Sequence, residues 1–275
     1  MKKTALQKLQ QTELEILTVI DSFCKKYNIV YSLYGGTAIG AVRHKGFIPW
    51  DDDIDIAMTR SEYNKFCTQW EKGPVKGYYL QNLVTDPKCS ICHAKVQKEG
   101  TMFIGEGEDT SESQNHYGIW VDIFPFDKDT KKNHRILLKT SKKLVMLSRA
   151  NVIYNNEGII KKIIKRFTRI IYPDEKRRME ILKCVHRLDD MDKSIKGQFV
   201  WKELSAMYMF KYSYPKHITE NTIPIQFEGK SFPIYSGYDE MLRIFYGDYM
   251  KLPPEEERIC KHKPEKIIFD IEDRR

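Results

Sequence analysis

Apolar residues recur at Leu6, Leu9, Leu17, Ile20, Cys24 and Tyr27, close to the helical repeat, and predict an amphipathic helix over residues 4–27. IVYSLY (29–34) predicts a short strand, followed by Gly35-Gly36 and a short helix through Thr37–His44. Pro49 interrupts the chain before a second strand, DIDIAM (53–58), in which Ile54 and Ile56 alternate with acids. Tyr63, Phe66 and Trp70 at helical spacing predict a helix over Arg60–Lys72. GYYLQNLV (77–84) and SICHAKVQ (90–97) alternate as strands, the latter with Cys92, Ala94 and Val96 on one face. The polar stretch Gly105–Asn115 reads as a loop, and YGIWVDIFPFD (117–127) as a strongly apolar strand that Pro125 ends. Beyond about residue 130 the chain turns to Lys- and Leu-rich helices, then to a mixed tail from Ile223 with a hairpin-like turn at Glu228–Lys230. The expected organisation is a core over 1–130, a helical region over 131–215 and a C-terminal segment over 216–275.

The composition, 41% hydrophobic and 12% aromatic over 275 residues, excludes a disordered chain. No run approaches the ~18 apolar residues of a membrane span. The opening MKKTALQKLQQTELEIL starts like a signal peptide, but Gln and Glu break it at once, so a cytoplasmic protein with reduced thiols is expected. Cys89-Ser-Ile-Cys92-His93 matches the C-x-x-C-H pattern of haem attachment and half of a zinc site. No second cysteine pair follows at a useful spacing, and core cysteines are the expectation. A formal net charge of +8 points to anionic partners: nucleotides, nucleic acid or an acidic membrane surface.

Against that positive balance, GFIPWDDDIDI (46–56) concentrates Asp51, Asp52, Asp53 and Asp55. Aspartates in a run ordinarily form a solvated turn, but a turn has no use for Ile54 and Ile56. On an extended strand, residues two apart share a face ~6.6–6.8 Å apart. Asp53 and Asp55 are then expected to point the same way, with Asp51 joining them if the strand starts early. Paired carboxylates repel each other, and a divalent cation relieves the repulsion. Mg²⁺ favours one or two carboxylates plus substrate phosphates. Upstream, Gly35-Gly36 offers backbone N–H groups to phosphate oxygens at a helix start, without a Walker or G-x-G-x-x-G pattern. Asp122 is a lone acid in an apolar strand, where read alone it can merely satisfy backbone N–H groups.

Strand, Gly-Gly, helix and D-x-D strand in this order resemble the nucleotidyltransferase fold of the DNA polymerase beta superfamily, which adds a third carboxylate on a later strand. The fold class this implies is α+β, a nucleotidyltransferase-like mixed-sheet core with flanking helices and a helical insertion. GGTAIGAVRHKGFIPWDDDIDIAMTRSEYNKF resembles the signature of the LicD family more closely still. The similarity continues through IWVDIFPFD and the tail YGDYMKLPPEEER…His262, leaving only about 130–215 undistinctive. Members transfer a phosphorylated alcohol, typically phosphocholine, from a CDP-linked donor, and the fukutin-related proteins of animals are distant relatives. The resemblance implies metal-dependent transfer to a hydroxyl of a bacterial surface glycan, such as teichoic acid or lipopolysaccharide, or its lipid-linked precursor, with release of CMP. It implies Mg²⁺ or Mn²⁺ held by Asp51, Asp53, Asp55 and Asp122. Asp53, Asp55 and Asp122 would be catalytic, the last as a metal ligand or as a base for the acceptor hydroxyl. Gly35, Gly36, Thr37, Arg43, His44 and Lys95 are the residues expected on the donor phosphates. Tyr246, Asp248, Arg258 and His262 belong to a segment expected to close over the site.

An NTP-dependent nucleotidyltransferase that releases pyrophosphate needs the same glycines and aspartates, so the core motif alone admits both. A non-catalytic basic module for nucleic acid or membrane leaves the acids without purpose, and no RNA-binding signature is present, so nucleic acid is not expected as a partner. GIIKKIIKRFTRIIY (158–172) carries isoleucines and Phe167 on one face and Lys161, Lys162, Lys165, Arg166 and Arg169 on the rest. Such a helix packs its apolar face in a core or lies in an anionic membrane interface, and peripheral contact with the inner face of the cell membrane is the expectation.

Overall fold

The computed structural model describes residues 4–106, 116–152, 154, 156–262 and 264–270. Helix α1, Ala5–Lys26, opens with a capping box in which Thr4 and Gln7 exchange side-chain and backbone hydrogen bonds. Strand β1 is only Ser32–Leu33, shorter than the expected 29–34, and α2 begins at once, at Gly35, and runs to His44. The glycine pair is therefore the first turn of the helix rather than a turn before it. Strand β2 spans Asp55–Thr59 and starts two residues later than expected, which leaves Asp53 in the preceding loop. Helix α3, Arg60–Lys72, is as predicted, with Tyr63, Phe66 and Trp70 buried.

Strands β3 (Tyr78–Gln81), β4 (Ala94–Lys98), β5 (Met102–Gly105) and β6 (Trp120–Asp129) follow. Cys92 precedes β4 instead of sharing its apolar face. Gly105 ends a strand, and the rest of the expected polar loop, 107–115, lies outside the described residues. Pro125 does not end β6. The Asp122 N–H donates to Ile54 C=O, so alternation turns residue 125 towards the opposite edge. There β4 pairs with Trp120–Ile123 and β7 (Val200–Glu203) with Phe126–Asp129. Pro125 falls in the gap, where no N–H is needed.

Helices α4 (His134–Arg149), α5 (Ile159–Ile171) and α6 (Asp174–Ser194) precede β7. The chain then makes β8 (Tyr214–Pro215), the hairpin β9 (Thr222–Phe227) and β10 (Lys230–Tyr235), helix α7 (Tyr238–Tyr246) and β11 (Pro264–Ile268). The hairpin turns at Glu228-Gly229 with φ of 50° and 72°, the left-handed pair such a turn requires. Among the described residues, seven strands form one mixed sheet in the order β1-β2-β6-β4-β3, with β7 and β8 continuing from the far half of β6. The β2–β6 pair is parallel and the other pairs are antiparallel. The protein is thus α+β.

Alternation divides the sheet into two faces. Ile56, Met58, Val121 and Ile123 join Ile16, Ile20, Phe66 and Trp70 in the main core beneath α1 and α3. Ala57 and Phe126 face the other way, into an aromatic layer with Tyr34, Trp201, Tyr214 and Tyr235. Cys89 and Cys184 lie in a further cluster with Leu144 of α4 and Ile181 of α6, as expected of core cysteines. Helix α5 departs from core packing, because its isoleucines point outward and Lys165 is buried. No helix among the described residues is long and apolar enough to cross a membrane.

Two buried acids lie on β6 and β7. Asp127 receives both ends of the Arg60 guanidinium, at 2.7 and 2.8 Å, fixing α3 to β6. Glu203, paired across from Phe126, is 2% exposed, and burial pushes its carboxyl up to about 7 despite the Ser205 N–H. An acid whose folded-state pKa is raised contributes stability that is full below its unfolded value and is lost as pH rises through the folded value. Glu203→Gln should therefore gain on the wild type between about pH 5 and about pH 8, by up to roughly 3 kcal/mol in urea unfolding. A stability difference that is flat with pH would count against this assignment.

Candidate active site

The site begins where β1 turns into α2. Gly35 has φ +56°, and a Cβ placed on it would stand 2.7 Å from Asp55 Oδ2. A Cβ on Gly36 would stand 2.7 Å from Asp51 Oδ2. A side chain at either position would displace a carboxylate from the first turn, where the positive end of the helix dipole favours it, and the left-handed backbone at Gly35 disfavours other residues in any case. Thr37 is 3% exposed, and its hydroxyl accepts the Asp55 N–H at 2.8 Å. In this structure Thr37 thus positions the acid.

Asp55 opens β2 and sits directly beside Asp122 of β6 in the parallel register. Asp122 is firmly held: Trp120 Nε1 donates to one oxygen at 2.8 Å and His93 Nε2 pairs with the other at 2.9 Å. Lys95, across from Asp122 on β4, brings its ammonium to 3.8 Å while lying 3.7 Å from the Trp120 ring centre. Burial works against the Asp122 charge, but Lys95 and His93 outweigh it and hold the carboxyl well below its usual range.

The loop acids complete the cluster. One oxygen from each of Asp51, Asp52 and Asp53 lies within 4.8 Å of the others. The Asp52 carboxylate is already committed to the tail: it accepts the His262 N–H at 3.1 Å and the Lys261 N–H at 3.4 Å, and pairs with His262 Nδ1 at 3.1 Å. His262 Nε2 stands 3.9 Å from Asp53. Burial and then the Asp53 charge push Asp51 up to about 7, while Asp53 and Asp55 are raised by burial and by their acidic neighbours. Carboxylates that converge and resist ionising could hold a hard divalent cation: Asp51 and Asp53 belong to the close group, and Asp55 and Asp122 are the neighbouring acids of the adjoining strands.

The sequence reading missed Glu13. Its side chain is 2% exposed, Oε2 has no hydrogen-bond partner among the described residues, and burial followed by the charges of Asp53 and Asp52 raises its pKa strongly. The signal was an acid on the buried stripe of α1, four residues from both Leu9 and Leu17. His93, read only as part of the C-x-x-C-H pattern, and Trp120 also belong to the site. Each lies two positions from a residue already singled out, Lys95 and Asp122, and so shares its face.

The remaining expected residues divide. Tyr246 ends α7 with its hydroxyl 3.6 Å from a Cβ built on Gly35, over Asp55. Arg43 is turned to the tail: it donates to Tyr249 C=O at 2.7 Å and Lys251 C=O at 3.3 Å, and its Nε donates to His44 Nε2. Arg258 donates to Pro253 C=O and lies over Trp50 at 5.7 Å. Asp248 is exposed beyond Gly247, whose φ of +67° makes the turn after α7. The tail is thus fastened at Arg43, Trp50 and Asp52. Removing one clasp by His262→Ala should cost about 1 kcal/mol and hasten proteolytic cutting between residues 250 and 262. Unchanged proteolysis in that variant would show that the contact does not hold the tail.

Residues 28–157 match a family model described as "LicD/FKTN/FKRP, nucleotidyltransferase domain". The lipopolysaccharide cholinephosphotransferase LicD of Haemophilus influenzae is 31% identical over 282 aligned residues, which cover 98% of this chain and 100% of that protein. Uncharacterized proteins of Rickettsia prowazekii and Rickettsia typhi are 41% identical over 61 residues, 22% of this chain and 20% and 18% of theirs. The alignment with the Haemophilus enzyme spans the acid cluster and the tail that closes on it alike, and by that end-to-end match this chain belongs to the LicD family.

Proposed function

We propose that this LicD-family phosphotransferase moves a phosphorylated alcohol, phosphocholine, from a CDP-linked donor to a hydroxyl of lipopolysaccharide, a related surface glycan or its lipid-linked precursor, releasing CMP. The observation that carries the reading is the side-by-side placement of Asp55 and Asp122 beneath the loop acids, in a chain aligned end to end with a cholinephosphotransferase. The parallel β2–β6 pair with an acid on each strand also supports a nucleotidyltransferase-like core.

Transfer of this kind depends on positioning and on neutralising charge at the phosphates. Mg²⁺ or Mn²⁺ held by Asp51, Asp53 and Asp55, with Asp122 alongside, would supply that neutralisation when bound. The residues themselves do the rest. Both Asp122 oxygens already take a hydrogen bond, from Trp120 and His93, which suits a fixed charged ligand better than an acceptor of the substrate proton. Lys95 presents its ammonium beside that carboxylate and can meet a phosphate oxygen entering there. The N-terminal turn of α2 offers the Gly36 and Thr37 N–H groups to the same anion. Tyr246 and His262 cover the site from the tail and limit the entry of water as a competing nucleophile.

The test is CMP release from CDP-choline with a lipopolysaccharide acceptor and Mg²⁺. Asp55→Asn should lower turnover at least about 100-fold, since a lost ligand removes several kcal/mol of charge stabilisation. Its melting temperature should hold or rise, because one of the repelling acids has become neutral. Pyrophosphate released from an NTP, with no CMP from any CDP-alcohol, would overturn the reading in favour of a nucleotidyltransferase.

A further inference from the structure

Helix α5 is turned inside out relative to a helix that packs in a core. Ile159, Ile160 and Ile170 are 76%, 75% and 74% exposed, and Ile163, Ile164, Phe167 and Ile171 lie between 45% and 61%. The buried side is polar: Lys165 is 9% exposed and Thr168 5%. Lys165 Nζ donates to Val152 C=O at 2.8 Å and pairs with Glu157. Arg169 donates to Ala150 C=O at 2.7 Å and to Asn151 C=O at 3.0 Å. Ala150 is the C-cap of α4, where the helix end leaves carbonyls without intrahelical donors, and Asn151 and Val152 follow directly in the turn beyond it. The two cations, one turn apart, fill that need. Rotating α5 to hide its isoleucines would strip the carbonyls of their donors, so the outward apolar face is fixed by the polar one.

A contiguous face of seven large apolar side chains is more than a solvated surface ordinarily leaves open. At 100° per residue the apolar arc is centred opposite Lys165 and Arg169. Lys161 falls at one edge of the arc, and Arg166 and Lys162 at the other. Residues 158–172 contain no acid. Thirteen residues are too few to span a bilayer, and cations at both rims with hydrocarbon between them match a surface of anionic headgroups over acyl chains. A second copy fits less well, because facing α5 helices would set these cations against each other. We infer that α5 docks the protein on an anionic lipid surface, its isoleucines and Phe167 in the acyl boundary and Lys161 and Arg166 on the headgroups. This docking does not depend on the transfer reaction proposed above.

Co-sedimentation of the full chain with vesicles tests it, comparing phosphatidylcholine alone with an equal mixture of phosphatidylcholine and phosphatidylglycerol. The wild type should pellet with the mixed vesicles and not with phosphatidylcholine. Lys161→Glu/Arg166→Glu should weaken that binding at least about tenfold, each basic residue counting near an anionic surface. Ile163→Gln/Phe167→Gln should weaken it comparably. Both pairs change exposed residues and leave Lys165 and Arg169 in place, so their melting temperatures should match the wild type. Equal binding by wild type and variants, or none by the wild type, would overturn the inference. So would a concentration-dependent dimer, dissolved by Ile163→Gln/Phe167→Gln, in a protein that ignores vesicles.

Discussion

Mutual repulsion among carboxylates is the constraint around which this protein is arranged. Asp51, Asp53, Asp55 and Asp122 converge from a loop and two strands, and Glu13 adds a further acid from α1. The surroundings divide these groups by the donors each receives. Asp122 and Asp52 are held as anions by Trp120, His93 and the tail, whereas Asp51, Asp53 and Asp55 are left facing one another. The fold thus keeps a local deficit of positive charge in a chain that is basic elsewhere. That imbalance is the physical reason to expect a cation there, and it explains the two glycines, since a methyl group on either would push a carboxylate away.

Much of this was legible in the chain. Helices α1 and α3 follow from apolar spacing, and the D-x-D run was separable from an ordinary acidic turn by Ile54 and Ile56, both of which are buried. The family signature then tied the acids to Asp122 and the tail. Register was harder. Strand β2 starts at Asp55, so Asp53 reaches the cluster by loop geometry and not by alternation along a strand. Pro125 reads as a strand end because sequence shows the missing donor but not the gap between β4 and β7 that tolerates it. Glu13 was hidden by its company, since an acid on an apolar stripe is legible only once the stripe is known to face other acids.

The basic residues show the same limit. Arg43 suggests a phosphate ligand by charge, and in the fold its guanidinium donates to tail carbonyls, while Arg258 of the closing segment lies over Trp50. Lys165 and Arg169 read as part of a basic face for a membrane, yet they turn inward to carbonyls at and just beyond the end of α4. In each case a cation was recruited by backbone carbonyls or an aromatic ring, partners that leave little trace in composition. The same local needs set the two ends of the molecule: donors brought to the tail close the site, and donors brought to α4 turn α5 outward.

The parallel pairing of β2 with β6 bears on how the protein folds. Parallel neighbours cannot be joined by a tight hairpin, and here α3, β3, β4 and β5 lie between the two strands in sequence. Closing so long a loop is entropically slow, and native contacts must reward it before it holds. Asp55 and Asp122 are therefore a long-range contact, and their pairing carries the closure cost of the whole intervening segment. A chain in which β2 and β6 have not paired lacks the two neighbouring acids. The centre of the site is thus a property of the completed sheet and of no shorter piece of it.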